Sequence, residues 1–149
     1  MKTLVAVLVL LAFLQTTLIS INLVLLVIVL RAYLRVDLSN LYLAFFFGLL
    51  VAYLNHTNLG LTPIMYLILT NITHLLAKTP LSKNIISVLA IAIITSALVE
   101  VATSLIAGQT PSFLPKLAIE GILSLPIYLI LKIWEERFVV RSQIKLKVR

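Results

Sequence analysis

Residues 85–107 read IISVLAIAIITSALVEVATSLIA, an apolar run whose one charged residue is Glu100. An α-helix rises about 1.5 Å per residue, so a helix over this run is roughly 34 Å long. That length is enough to cross the roughly 30 Å hydrocarbon core of a bilayer. The run therefore predicts a transmembrane helix, and it raises the question of why a carboxylate lies inside it.

The rest of the chain has the same apolar character. Of its 149 residues 62% are hydrophobic and 11% are charged, with a mean hydropathy of +1.17. A soluble domain is typically about half apolar and about a quarter charged. We predict an integral membrane protein with a single transmembrane helical domain over residues 1–136 and a basic cytoplasmic tail over residues 137–149. Cysteine is absent from the sequence, which excludes disulfides and thiol chemistry.

Polar residues, prolines and glycines divide the chain into six apolar stretches. The predicted spans are Thr3–Ile19, Ile21–Leu34, Leu38–Leu54, Leu59–Ala77, Ile85–Ala107 and Leu114–Trp134. The fold class is predicted as all-α, with six transmembrane helices and a short, irregular second span. Five spans are the alternative, with one long helix from Thr3 to Leu34, although a polar cluster near Gln15 and Asn22 opposes it. The first stretch could also be a signal peptide, but we expect a retained span because no cleavage motif follows it.

The positions of the basic residues predict the orientation. With six spans and a cytoplasmic amino terminus, eleven of the twelve lysines and arginines fall on the cytoplasmic side, and Lys116 is the exception. Cytoplasmic loops of membrane proteins carry an excess of lysine and arginine. We therefore predict that both termini are cytoplasmic.

Glu100 lies on a helix face of small residues, because Ala92, Ser96, Glu100 and Ser104 are spaced four apart. Small residues let helices approach closely, so this face is predicted to pack rather than to face lipid. Three roles stay open for Glu100: a hydrogen bond to a neighbouring helix of the chain, a contact with a partner protein, or ion or substrate coupling. Glu120 is predicted to pair with Lys116, four residues before it.

The remaining polar residues predict no catalysis. The sequence contains no nucleophile with a nearby base, no phosphate-binding loop and no metal-ligand cluster, so we expect no enzyme activity, no cofactor and no nucleic-acid partner. Pro126 lies in the middle of the last span and is predicted to kink it. The candidates for helix packing or partner contact are Gln15, Asn22, Ser96, Glu100, Ser104 and Pro126. The basic tail is predicted to lie on anionic membrane lipid or to dock a cytoplasmic partner. Its candidate contact residues are Arg137, Arg141, Lys145 and Lys147.

Several short signatures along the chain match those of one known family of membrane proteins. Gln15-Thr16-Thr17 resembles the family's step at the end of the first span, and Asn22-Leu23-Val24-Leu25-Leu26 its entry to a short second span, with Ile21-Asn22 in place of Pro-Asp. Phe47-Gly48-Leu49-Leu50 with Asn58-Leu59-Gly60-Leu61 resembles its glycine-leucine pattern, without the usual aspartate. Leu98-Val99-Glu100 and Pro126 resemble features of its last two spans. The layout and these signatures together resemble the bacterial rod shape-determining MreD family.

This resemblance implies a non-enzymatic scaffold in the bacterial inner membrane. Such a subunit of the cell-elongation machinery would bind an MreC-like protein and, through it, cytoskeletal and peptidoglycan-synthesis proteins. The alternative is a substrate-binding membrane subunit of an energy-coupling-factor type vitamin transporter. That function would need polar or aromatic side chains that converge in the outer half of the membrane, where Tyr53, His56 and Asn58 offer little.

Overall fold

A computed structural model describes residues 2–17, 21–79, 85–107 and 113–139 of the chain. These residues form six α-helices and one π-helical turn, and the described ranges contain no strand. The six helices and the turn are α1 (Lys2–Thr17), α2 (Leu23–Leu34), α3 (Leu38–Leu54), α4 (Leu61–Ala77), α5 (Ile85–Ala107), α6 (Phe113–Trp134) and the π turn (Glu135–Val139). The all-helical prediction is confirmed, and each helix begins and ends within two residues of its predicted bounds.

The short helix α2 lies at the centre of the fold and contacts each of the other five helices. Its residues are buried from Leu23 to Tyr33. A helix that is apolar on all sides is typical of a buried core helix, and the leucine, valine and isoleucine run of α2 follows that rule. The second helix is short, as predicted, but it is a regular α-helix rather than an irregular one.

The five longer helices surround α2 in the order α1, α3, α4, α5 and α6, and each contacts the next in that order. Helices α3 and α4 approach closely where Gly48 lies against Pro63. A side-chain carbon added to Gly48 would be 2.6 Å from Pro63 Cα, so this crossing requires glycine. Between α1 and α6, at the two ends of this order, lies a groove.

The break between α1 and α2 rules out one alternative from the sequence. Helix α1 ends at Thr17, α2 begins at Leu23, and the two helices pack against each other. A single helix from Thr3 to Leu34 is therefore wrong. The physical reason is visible in the side chains, because Gln15 accepts a hydrogen bond from a backbone N–H at the beginning of α2. An uninterrupted helix would already use that N–H internally.

The core is largely apolar, but many large apolar side chains also lie on the exterior and several polar side chains are buried. Large apolar side chains such as Leu10, Phe46 and Ile130 are exposed, whereas Arg31, His74 and Glu120 are buried. Two helical segments, Ile86–Leu105 and Lys116–Arg137, are long and apolar enough to cross a membrane, and the other four helices are apolar but shorter. The structure is therefore compatible with a membrane protein.

Candidate functional site

Polar side chains, most of them buried, gather at both ends of α2. At its beginning, Gln15, Tyr66 and Glu120 form what we call the N-terminal cluster. Around its last turn, Arg31, Arg35, Asn40, His74 and Glu135 form what we call the C-terminal cluster. Buried polar groups are stable only when they are hydrogen-bonded, so their contacts determine what each cluster can do.

In the N-terminal cluster, side chains from two other helices cap α2. Asn22 precedes the helix, but its side chain makes no capping hydrogen bond. Instead, its backbone N–H donates to Glu120 Oε1 at 3.0 Å, and the Val24 N–H donates to Gln15 Oε1 at 3.0 Å. The first N–H groups of a helix lack internal partners and carry partial positive charge, which favours a carboxylate there. Glu120 and Gln15 thus fix where α2 begins.

The same cluster retains polar atoms that make no hydrogen bond of ideal geometry with the described residues. Tyr66 interacts with Gln15 through a side-chain hydrogen bond that departs from ideal geometry, and electrostatically with Glu120. Gln15 Nε2 and Glu120 Oε2 likewise have no ideally placed partner in the described part of the chain, and neither has the Thr70 hydroxyl one turn further along α4. These atoms are shielded from solvent, since Tyr66 and Glu120 are each only 1% exposed.

The C-terminal cluster is an ion-paired network around Arg31, which is 3% exposed. Arg31 Nε donates to Glu135 Oε1 at 3.2 Å, and its Nη1 donates to Asn40 Oδ1. Arg35 Nη1 lies 3.6 Å from Glu135 Oε2. Asn40 Nδ2 donates to the Arg35 carbonyl at 2.7 Å and lies 3.3 Å from His74 Nε2. The network joins α2, α3, α4 and the π turn that follows α6.

Asp37 begins α3 beside this network. Its Oδ1 accepts a hydrogen bond from the Ser39 backbone N–H at 3.3 Å, which is a helix-capping contact. This backbone hydrogen bond holds the pKa of Asp37 below its usual range, and nearby Arg35 acts in the same direction. Asp37 is therefore a carboxylate at neutral pH.

Glu100 is paired within the chain, which answers the question raised by its position. Lys116 Nζ donates to Glu100 Oε2 at 2.7 Å and so joins α6 to α5. This contact agrees with the first of the three roles left open for Glu100. The predicted pair of Lys116 with Glu120 is wrong, because the beginning of α2 holds Glu120 inside the bundle.

The other candidate residues are distributed as follows. Gln15 and Asn22 meet at the beginning of α2, Ser96 is buried on α5, and Ser104 donates to the Val101 carbonyl. Helix α6 continues through Pro126, and the kink stays a prediction. Arg137 is exposed in the π turn, whereas Arg141, Lys145 and Lys147 lie outside the described residues.

Sequence reasoning missed most of the buried network. Arg31 was interpreted only as a cytoplasmic charge, and Asn40, Tyr66 and Glu135 received no role. A signal was present for Arg31, because an arginine follows eight consecutive apolar residues, Leu23 to Leu30. No local pattern identifies Glu135 as its partner, since 104 positions separate them.

The groove between α1 and α6 has a volume of about 630 Å³. Val7 of α1 and Ile130 of α6 form its walls, and Val27 of the central helix lies at its base. Its lining is almost entirely apolar, with Trp134 and Arg137 at one end. An apolar groove with a tryptophan and an arginine at one end is typical of a protein surface that passes from the acyl chains of a bilayer to its headgroups.

Comparison with protein-family models, with curated proteins and with solved structures found no match. Within the described ranges, no group of three or more histidine, cysteine, aspartate or glutamate side chains could hold a metal ion. The features that indicate a function are therefore the two clusters, the groove and the apolar exterior.

Proposed function

We propose that the chain is a non-enzymatic, multi-pass scaffold of the bacterial inner membrane, with six spans and both termini in the cytoplasm. The exposed apolar exterior and the uneven placement of lysines and arginines support this topology. Helices α1, α3 and α4 have 16 or 17 residues and are about 25 Å long. A bilayer adapts to spans of that length by local thinning, and α2 needs no lipid contact because other helices enclose it.

The scaffold binds the membrane span of a partner in the groove between α1 and α6. The observation that supports this proposal is the base of the groove, where Val27 of the central helix lines the space between α1 and α6. A sixth helix placed there would complete the ring around α2. The resemblance to the MreD family gives the expected partner, an MreC-like protein that connects to cytoskeletal and peptidoglycan-synthesis proteins.

The basic end of the chain would lie on the cytoplasmic surface of the membrane. Trp134 and Arg137 mark that end of the groove, and Lys132 is exposed on the preceding turn. Each lysine or arginine near an anionic membrane surface contributes about 1 kcal/mol of attraction. The tail residues Arg141, Lys145 and Lys147 extend this positive charge in the sequence.

The test is a bulky substitution in the groove with a matched control on the same helix. Val7→Trp fills the groove, whereas Val5→Trp places the same residue about 200° around α1, on a face outside it. Both valines are exposed, at 52% and 40%. We expect Val7→Trp to reduce the amount of partner that co-purifies from gently solubilised membranes by at least about tenfold, a loss of about 1.4 kcal/mol. Val5→Trp should leave it unchanged.

The identity of the co-purifying protein separates the two functions. An MreC-like protein that is lost with Val7→Trp supports the scaffold. Paired ATPases with a coupling subunit would support the transporter alternative instead. Equal recovery of the partner with both tryptophan variants would show that the groove is not the docking site.

A further inference from the structure

Three residues at the end of α6 face two different sites. Glu135 extends into the C-terminal cluster, where its side chain is 13% exposed. Trp134 precedes it and Arg137 follows it, and both line one end of the groove between α1 and α6. The contacts of Glu135 therefore affect the side chains that form this end of the groove.

Both carboxylate oxygens of Glu135 are paired with arginines at the end of the central helix. Oε1 accepts a hydrogen bond from Arg31 Nε at 3.2 Å, and Oε2 lies 3.6 Å from Arg35 Nη1. Arg31 is 3% exposed, so it cannot exchange this carboxylate for solvent. A carboxylate that is held through both oxygens has a fixed orientation as well as a fixed position. The chain is therefore anchored to α2 one residue after Trp134.

The backbone at this anchor is the π turn Glu135–Val139. The hydrogen bonds of a π turn join residues five apart, whereas those of an α-helix join residues four apart, so side chains take different directions in the two. Such turns are rare and occur frequently at functional sites. Because Arg137 lies inside the turn, a change from π to α geometry would redirect its side chain.

We propose that Glu135 is a positioning residue for the groove, and that its pairs with Arg31 and Arg35 hold Trp134 and Arg137 at the end of the groove. Glu135 acts through these neighbours, because it is not among the described residues that line the groove. The consequence for binding rests on the proposed function: a partner span in the groove meets Trp134 and Arg137 in fixed places.

The fluorescence of Trp134 tests this role, because Trp134 is the only tryptophan of the chain and is half-buried against the core. The full chain is measured in lipid vesicles, with acrylamide as a water-soluble quencher. Glu135→Gln keeps the size of the side chain and removes its charge. We expect this variant to shift the emission maximum to longer wavelength and to increase quenching, because Trp134 becomes more accessible to water.

Glu136→Gln is the matched control for the loss of an acid in the same turn. Glu136 is exposed and makes no ion pair within the part of the chain that the structure describes. Its emission maximum and its quenching should equal those of the wild type. An unchanged emission in Glu135→Gln, or an equal shift in Glu136→Gln, would overturn the proposal.

Two further variants separate positioning from a loss of stability. Asn40→Leu removes another partner of Arg31 and leaves both pairs of Glu135 in place, so it should lower the thermal midpoint without shifting the emission of Trp134. Arg35→Met removes the more exposed of the two pairs and should shift the emission in the same direction as Glu135→Gln, by less. A shift in Asn40→Leu as large as that in Glu135→Gln contradicts the proposal. If Glu135→Gln does not fold, an unchanged emission in Arg35→Met contradicts it instead.

Recovery of the partner from solubilised membranes keeps this proposal apart from the proposed function. A shifted emission in Glu135→Gln, with full recovery in Val7→Trp, would mean that Glu135 positions Trp134 but that the groove is not the docking site. An unchanged emission with reduced recovery in Val7→Trp would reject the positioning role and leave the docking site supported. When both hold, Glu135→Gln should also lose partner, and recovery equal to that of Glu136→Gln would overturn the role of Glu135 in binding.

Discussion

The two ends of α2 are held by different chemistry. At its last turn, Arg31 carries a full charge, and the structure surrounds it with Glu135 and Asn40. At its beginning, backbone N–H groups carry partial charges, and Gln15 and Glu120 neutralise them while keeping one polar atom each unpaired. Burying an unpaired full charge costs far more free energy than burying an unpaired dipole. The Arg31 side chain therefore needs complete pairing, whereas the polar groups at the beginning of α2 do not.

This difference predicts that substitutions at the C-terminal cluster have the largest effects. Arg31→Met leaves Glu135 and Asn40 without their main partner, and breaking a buried pair costs about 3–5 kcal/mol. We expect that loss in the free energy of unfolding, measured by denaturant titration in mixed micelles. Arg35→Met is the control, because the Arg35 side chain is 35% exposed and its ion pairs are longer. Equal losses for the two arginines would contradict the assigned role of burial.

A smaller effect is expected at the beginning of α2. Glu120→Leu leaves the Asn22 N–H without its partner in a partly buried position, which costs about 1 kcal/mol or more. Glu100→Leu is the matched control, because it replaces the acid of the neighbouring apolar helix α5, whose partner Lys116 is 26% exposed and can turn to solvent. We expect Glu120→Leu to lower the thermal midpoint in detergent more than Glu100→Leu does. The reverse order would show that Glu120 is not the cap of α2.

The sequence predicted the helices far better than it predicted these contacts. The positions of α3 and α5 follow from unbroken apolar runs and their lengths, which are local properties. A similar local rule, the four-residue spacing, predicted that Lys116 pairs with Glu120. That prediction was wrong, because Lys116 pairs with Glu100 and Glu120 binds the beginning of α2. The Asn22 N–H is 98 positions from Glu120 in the chain, and only the packing of α6 against α2 brings them together.

The central position of α2 could not be predicted from the sequence for a related reason. The 12-residue length of α2 is too short for a lipid-exposed span, and from the sequence this looked like irregularity. In a bilayer, a helix enclosed by five others would not need to match the membrane thickness, because that thickness constrains only surfaces that lipid touches. Gly48 shows the same limit, since its closeness to Pro63 depends on how α3 meets α4 rather than on any local pattern.

The smallest expected effect lies at the exposed border of the C-terminal cluster, where Asp37 caps α3. Asp37→Ala removes the bond to the Ser39 N–H and should lower the free energy of unfolding by about 1 kcal/mol, whereas Asp37→Asn, which keeps a capping oxygen, should lose less. Because the pKa of Asp37 is lowered in the folded state, its contribution is present above its unfolded value and is lost as pH falls through the folded one. The difference between the wild type and Asp37→Ala should therefore shrink in acid to the smaller effect of a neutral capping oxygen, when their unfolding is followed against pH. If the difference instead stays constant down to the lowest accessible pH, the negative charge of Asp37 adds nothing to the cap of α3. A neutral oxygen would then cap this helix as well as the Gln15 amide caps α2.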